Sequence, residues 1–179
     1  EYPMKFVDAL TELALLAALI PEQYGGSGLP LSIGAEILPA IHEFGGNPGA
    51  CHTQMYTMGT VLRHGNDDQK QKYLPGIASG DLRLQAFGVT EPTAGTDTTS
   101  LSTFAARDGD GYHVNGQMVW TSRAMQSDLM VLLARTTLKE EVKKRTEGLS
   151  VFLIDMREAK GNGITITQIR NMINHAATQ

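Results

Sequence analysis

Up to Ser79 the apolar residues recur at the three- and four-residue intervals of one helical face: Phe6, Val7, Leu10, Leu13 and Leu16, then Ile33, Ile37, Leu38 and Ile41. This spacing predicts a helical first part. The punctuation between the stripes agrees. Gly65 closes a segment ending in Leu62, Arg63 and His64, and Asn66 with Gln69 three residues on forms the pattern of a capping box that opens the next helix, which carries Tyr73 and Leu74 inward. Pro48 before Gly49 and Ala50 suits the first turn of a helix, whereas Pro39 is expected to interrupt one unless it lies near a turn.

Beyond Gly80 the period shortens. Apolar runs at 82–89, 101–107, 112–114, 118–120, 129–133, 149–154 and 164–169 are separated by Gly and Asp, which predicts strands. Asp108-Gly109-Asp110-Gly111 and Asn115-Gly116 are hairpin signals, because both supply the positive φ angles of tight turns. The expected fold class is α+β by segregated domains. A helical N-terminal domain over residues 1–81 precedes a mostly antiparallel β-barrel or sandwich over 82–179. Each domain is expected to be partial, since the final segment, 171–179, brings no closing strand and the chain lacks a starting Met.

Composition narrows the class. With 41% hydrophobic and 19% charged residues the chain is globular, and a net charge of −4 with interspersed signs gives no basic stripe for nucleic acid. The longest apolar run, 13–20, is about half of a membrane span, so no membrane span is expected. A single cysteine, Cys51, forms no internal disulfide and points to a reducing compartment. With Met55 and Met58 it lies on one helical stripe, as core filling. The five histidines have no metal-ligand spacing, so no metal site is expected. The charged stretch 139–145 reads as a solvated loop or short helix.

Two segments carry candidate chemistry. In AFGVTEPTAGTD, residues 86–97, a strand leaves at Val89 into a loop of hydroxyls, a rigid turn and bare backbone. Such a loop can aim N–H groups and hydroxyls at a planar polar ring or a pyrophosphate, with Gly95 allowing close approach; an ordinary strand-to-loop turn is the plainer alternative. In the second segment the only tryptophan, Trp120, precedes Thr121 and Ser122. A tryptophan on a strand ordinarily fills core. Alternation would nevertheless put Trp120 and Ser122 on one face, an indole wall beside a hydroxyl that suits an aromatic cofactor with ring nitrogens.

TEPTAGTD, WTS some twenty-five residues later, IPEQYGGSGLPL and HGNDDQKQKYLPGIASGDL together resemble, in order and over almost the whole chain, the acyl-CoA dehydrogenases, which are FAD enzymes. The resemblance implies that the segment from Phe87 and Gly88 to Gly95 and Thr96 borders the flavin. Backbone at Val89 and Thr90 would meet the isoalloxazine edge, and the Gly95-Thr96 turn would lie near the pyrophosphate. It also implies that Trp120 packs against the ring, that Thr121 stands where Ile is common, and that the Ser122 hydroxyl faces flavin N5. Thr96 falls where Ser is common and can touch the acyl-CoA substrate.

The same resemblance implies oxidation of acyl-CoA to trans-2-enoyl-CoA, electron-transfer flavoprotein or a similar acceptor as partner, and a homo-oligomer, tetramer or dimer, when full length. The location would be cytoplasmic, or the mitochondrial matrix in a eukaryote. The family's catalytic Glu belongs to a C-terminal helical domain, so the base is expected beyond Gln179 and none of the residues present is assigned as catalytic. Glu91 is read as structural. A flavin-dependent oxidase or monooxygenase of the same superfamily, and a non-catalytic flavin-binding or interaction module, are the alternatives.

Overall fold

A computed structural model describes residues 3–170. The chain divides into two compact units, one of residues 1–85 with 126–128 and one of residues 86–125 with 129–179.

The first unit is helical. Its helices are α1 (Met4–Glu12), α2 (Leu31–Glu43), α3 (Gly49–His64) and α4 (Asp67–Ser79). Val7 and Leu10 of α1, Leu16, and Ala50, Cys51 and Met55 of α3 form its core, with Ile37, Leu38 and Ile41 of α2 packed against them. Leu13 departs from the expected stripe and is exposed, because the next residue, Ala14, turns left-handed at φ 56° and ends the helical phase. The capping box at α4 is formed: Asn66 Oδ1 accepts from Gln69 N at 2.8 Å, and Gln69 Oε1 from Asn66 N at 3.0 Å. Pro39 does not interrupt α2. Both it and Ala35, whose carbonyl its missing N–H leaves free, are exposed, so water can satisfy that carbonyl.

The second unit is built on a sheet of β1 (Leu84–Gly88, whose first two residues fall in the first unit), β2 (Phe104–Asp108), β3 (Gly111–Asn115), β4 (Leu129–Arg135) and β5 (Leu149–Asp155), with a short α5 (Met156–Ala159). The strand order is β1-β4-β2-β3, and β5 also pairs with β4. β4 and β5 are antiparallel from Leu129↔Asp155 to Arg135↔Leu149, whereas β2 meets β4 in parallel at Phe104↔Arg135. The sheet is therefore mixed, with antiparallel ladders joining β2 to β3 and β4 to β5, as a mostly antiparallel reading expects, and a parallel bridge between β2 and β4; it is open and not closed into a barrel. A nearly continuous buried run makes β4 the central strand.

The β2–β3 hairpin forms where Asp108-Gly109-Asp110-Gly111 predicts it, with Gly109 at φ 56° and Asp108 paired to Gly111. Asn115-Gly116 forms no hairpin, since residues 117–120 are not a strand. Gly116 serves close approach instead: a Cβ there would stand 2.1 Å from Thr103 Oγ1. Residues 164–169 are likewise not a ladder strand. Met118, Ile164 and Ile166 pack onto the cluster of Ala86, Ala124, Met130, Leu132 and Met156, so their apolar spacing reflects burial without strand pairing. The segment 171–179, His175 included, lies outside the described residues.

Candidate functional site

All the residues put forward from the sequence lie in the second unit. Phe87 and Gly88 end β1, with Gly88 buried against Met118, Met130 and Leu132. After Val89 the chain leaves the sheet, and the Thr90 carbonyl accepts from Val119 N at 2.8 Å. This bond joins the two candidate segments, one residue short of Trp120.

The loop after Thr90 is held by its own side chains. Glu91 and Ala94 exchange backbone hydrogen bonds of 3.0 and 3.2 Å around Pro92 and Thr93, a tight turn suited to proline's fixed φ. The buried Glu91 carboxylate accepts from Ser102 N and Ser102 Oγ, both at 2.8 Å, and from Thr103 N at 2.6 Å. Burial pushes this carboxyl up, and the hydrogen bonds from Thr103 and Ser102 outweigh it, holding the group below its ordinary range. Its oxygens are committed to the loop, which is the structural role read from the sequence.

Gly95 and Thr96 follow on the exposed side of this turn. A Cβ built on Gly95 would meet no heavy atom within 4 Å. Its bareness answers no steric need of the described fold and leaves open space in front of the backbone. Among the described residues, no hydrogen bond ties Gly95 or Thr96 to Trp120, Thr121 or Ser122.

Trp120 departs from the strand geometry expected of it. It has φ 64°, a left-handed conformation costly for an aromatic residue, and its side chain is 61% exposed. The argument that Trp120 and Ser122 share a face by alternation therefore does not apply. Ser122 is half-buried and is followed by a second left-handed residue, Arg123, at φ 59°. Between them Thr121 is buried, and its hydroxyl has no partner among the described residues. An exposed indole on left-handed backbone thus stands next to a buried hydroxyl with no partner among the described residues. These features fit a planar polar group such as a flavin.

Sequence reasoning missed the clustering of charge behind the Gly95-Thr96 turn. Asp97 accepts from the Thr99 and Ser100 hydroxyls and pairs with Arg145. Hydrogen bonds from Ser100 and Thr99, aided by the Arg145 guanidinium, bring its carboxyl down to about 2. An Asp two residues before a Thr-Ser pair was the available signal. Its partner lies 48 residues away, beyond the reach of any local pattern. Among the described residues no cluster of His, Cys, Asp and Glu could hold a metal ion, and no helix is long and apolar enough to cross a membrane.

Residues 1–81 match the acyl-CoA dehydrogenase N-terminal domain and residues 86–178 the acyl-CoA dehydrogenase middle domain. Acyl-CoA dehydrogenase FadE26 of Mycobacterium tuberculosis is 38% identical over 134 residues, 75% of this chain and 33% of the relative. Glutaryl-CoA dehydrogenase of Desulfococcus multivorans is 31% identical over 96% of this chain and 43% of its own length. Among solved structures, the ChsE4-ChsE5 complex from Mycobacterium tuberculosis superposes with a TM-score of 0.81 at 33% identity, over 95% of this chain and 43% of that one. The chain thus spans less than half the length of these relatives. With two matching domains in the order of its helical and sheet regions, the chain belongs to the acyl-CoA dehydrogenase family.

Proposed function

We propose that the protein carrying this chain oxidises an acyl-CoA thioester to the trans-2-enoyl-CoA with FAD as cofactor, and that residues 82–179 form one wall of the flavin site, after a partial helical domain over 1–81. Bound flavin supplies the acceptor for the β-hydride. The chain's own residues place and screen it. Backbone at Val89 and Thr90 would line the ring edge, and the Thr90–Val119 bond supports this by tying the end of β1 to the residue before Trp120. Trp120 would pack against the ring, and the Ser122 hydroxyl would be the donor offered to its nitrogens. Gly95 and Thr96 border the pyrophosphate, where Thr96 also meets acyl-CoA. The carboxylate that removes the α-proton is assigned to none of the described residues, since Glu91 is buried and spent on Ser102 and Thr103.

The observation that carries this reading is the bond between the Thr90 carbonyl and Val119 N, which brings two segments, far apart in sequence and both chosen for flavin chemistry, to one place. Electrons would leave to an electron-transfer flavoprotein or similar acceptor, from a homo-oligomer in the cytoplasm or mitochondrial matrix. The test is anaerobic mixing of the full-length flavoprotein with acyl-CoAs of several lengths. Bleaching of the flavin absorbance with at least one of them supports the reading, and absence of bleaching with all of them removes it. Rapid reaction of the reduced flavin with oxygen would move the assignment to an oxidase or monooxygenase.

A further inference from the structure

The loop that bears Gly95 and Thr96 is fastened to a second loop, 136–148, from two sides. On the inner side the buried Arg135, last residue of β4, donates to the carbonyls of Leu101 at 3.1 Å and Thr99 at 2.7 Å. The same guanidinium reaches across to the carbonyls of Glu147 at 3.3 Å and Arg145 at 3.2 Å. Among the described residues it has no carboxylate partner. Its five donors therefore read the shapes of two loops and answer no charge. On the outer side Arg145 pairs with Asp97 and donates to Ser100 Oγ at 3.0 Å. Asp97 also accepts from Thr99 N, so one carboxylate closes the turn directly after Thr96. The charged stretch that composition offers as a solvated loop or short helix is the second jaw of this clasp.

We propose that Arg135 and Arg145 are positioning residues for the flavin site, clasping loop 136–148 to the turn after Thr96 so that Gly95 and Thr96 keep the shape that receives the cofactor's phosphates. The role rests on the flavin reading above. It makes a loop with no assigned contact to the cofactor a determinant of how firmly the cofactor is held. An exposed pair such as Asp97–Arg145 contributes modestly and is weakened by salt, whereas the buried Arg135 leaves four carbonyls without their donor when removed.

The experiment compares full-length wild type with Arg145→Gln, Arg145→Lys, Arg135→Met and Trp120→Ala. FAD affinity is measured by fluorescence titration of the apoprotein, and amide exchange is followed in the apo form. Arg145→Gln is expected to weaken FAD about two- to fivefold at low salt and to speed exchange in 96–103 and 136–148 but not in β3. Arg145→Lys restores most of the affinity, and Arg135→Met has the larger effect. Should Arg135→Met fail to fold, the exposed Arg145→Gln carries the test. Unchanged affinity and exchange in Arg145→Gln, with flavin still lost from Trp120→Ala, overturns the clasp and leaves the flavin reading standing. A wild type without FAD affinity removes that reading, and the positioning role falls with it.

Discussion

Helix α3 and the loop at 120–123 both bury polar side chains, and they treat them in opposite ways. On α3, Thr53 donates to Gly49 O, Thr57 to Thr53 O and to Leu84 O, and Gln54 donates to Leu16 O while accepting from Gln85 Nε2. Each group is answered within the chain. In the loop, Thr121 is buried with its hydroxyl unanswered among the described residues, and left-handed backbone stands on either side, at Trp120 and Arg123. Satisfied polar burial specifies a fold; unsatisfied burial on strained backbone costs stability, and that cost supports the loop's part in the proposed flavin site.

The comparison can be broken most forcefully at α3. Met58 is fully buried, and Met58→Ala should cost about 2–5 kcal/mol in a urea unfolding curve while leaving the flavin spectrum of the folded protein unchanged. A loss below about 1 kcal/mol would show that the helical core is not packed as described. Gly116→Ala comes next, because its methyl would overlap Thr103. A loss of about 1–3 kcal/mol, together with weaker flavin binding through the displaced Val119, is the expected result.

Trp120→Gly sharpens the comparison by its sign. Glycine tolerates φ 64°, so stability should rise by about 1 kcal/mol while flavin affinity falls. A variant both less stable and unchanged in affinity would place Trp120 in the core. The smallest effect concerns acid. Asp97 titrates near 2 when folded, against an ordinary 3.8, so its contribution is complete above about pH 4 and is lost as pH falls toward 2. Asp97→Asn should therefore lower stability at pH 6 and make the acid limb shallower; an acid limb of unchanged slope would contradict the assignment. Cys51 behaves as a core residue. Burial raises its thiol to about 11, so alkylating reagents should label it at neutral pH only as the protein unfolds.

Much of the helical unit is legible in sequence because its signals are local. The Asn66–Gln69 box, the stripe of Val7 and Leu10, and the Cys51–Met55–Met58 face all depend on neighbours three or four positions away. The Asp108–Gly111 turn is legible for the same reason. The site is legible as two segments and not as a geometry. Met118, Ile164 and Ile166 mimic strand positions because they pack onto the sheet, and composition does not distinguish lying on a sheet from pairing within it. The left-handed backbone of Trp120 has no glycine to announce it, and Thr99 as a partner of Arg135 and Arg145 as the ion-pair partner of Asp97 lie tens of residues away. Pro39 misleads in the other direction, since a solvent-facing proline removes one bond without ending the helix.

The order of strands also sets an order of events during folding. The β2–β3 hairpin closes through two residues and can form within about 1–10 μs of the start of folding. The pairing of β4 with β5 must close a loop that includes 136–148, and the pairing of β1 with β4 must wait for about forty intervening residues to be gathered. Long-range closure is the slow part of building a sheet. The Thr90–Val119 bond hangs on the end of β1, so the proposed cofactor wall would be among the last parts assembled. In pulse-labelled refolding, amides of β3 should gain protection before those of β1, and flavin added early should wait for β1 before it is captured.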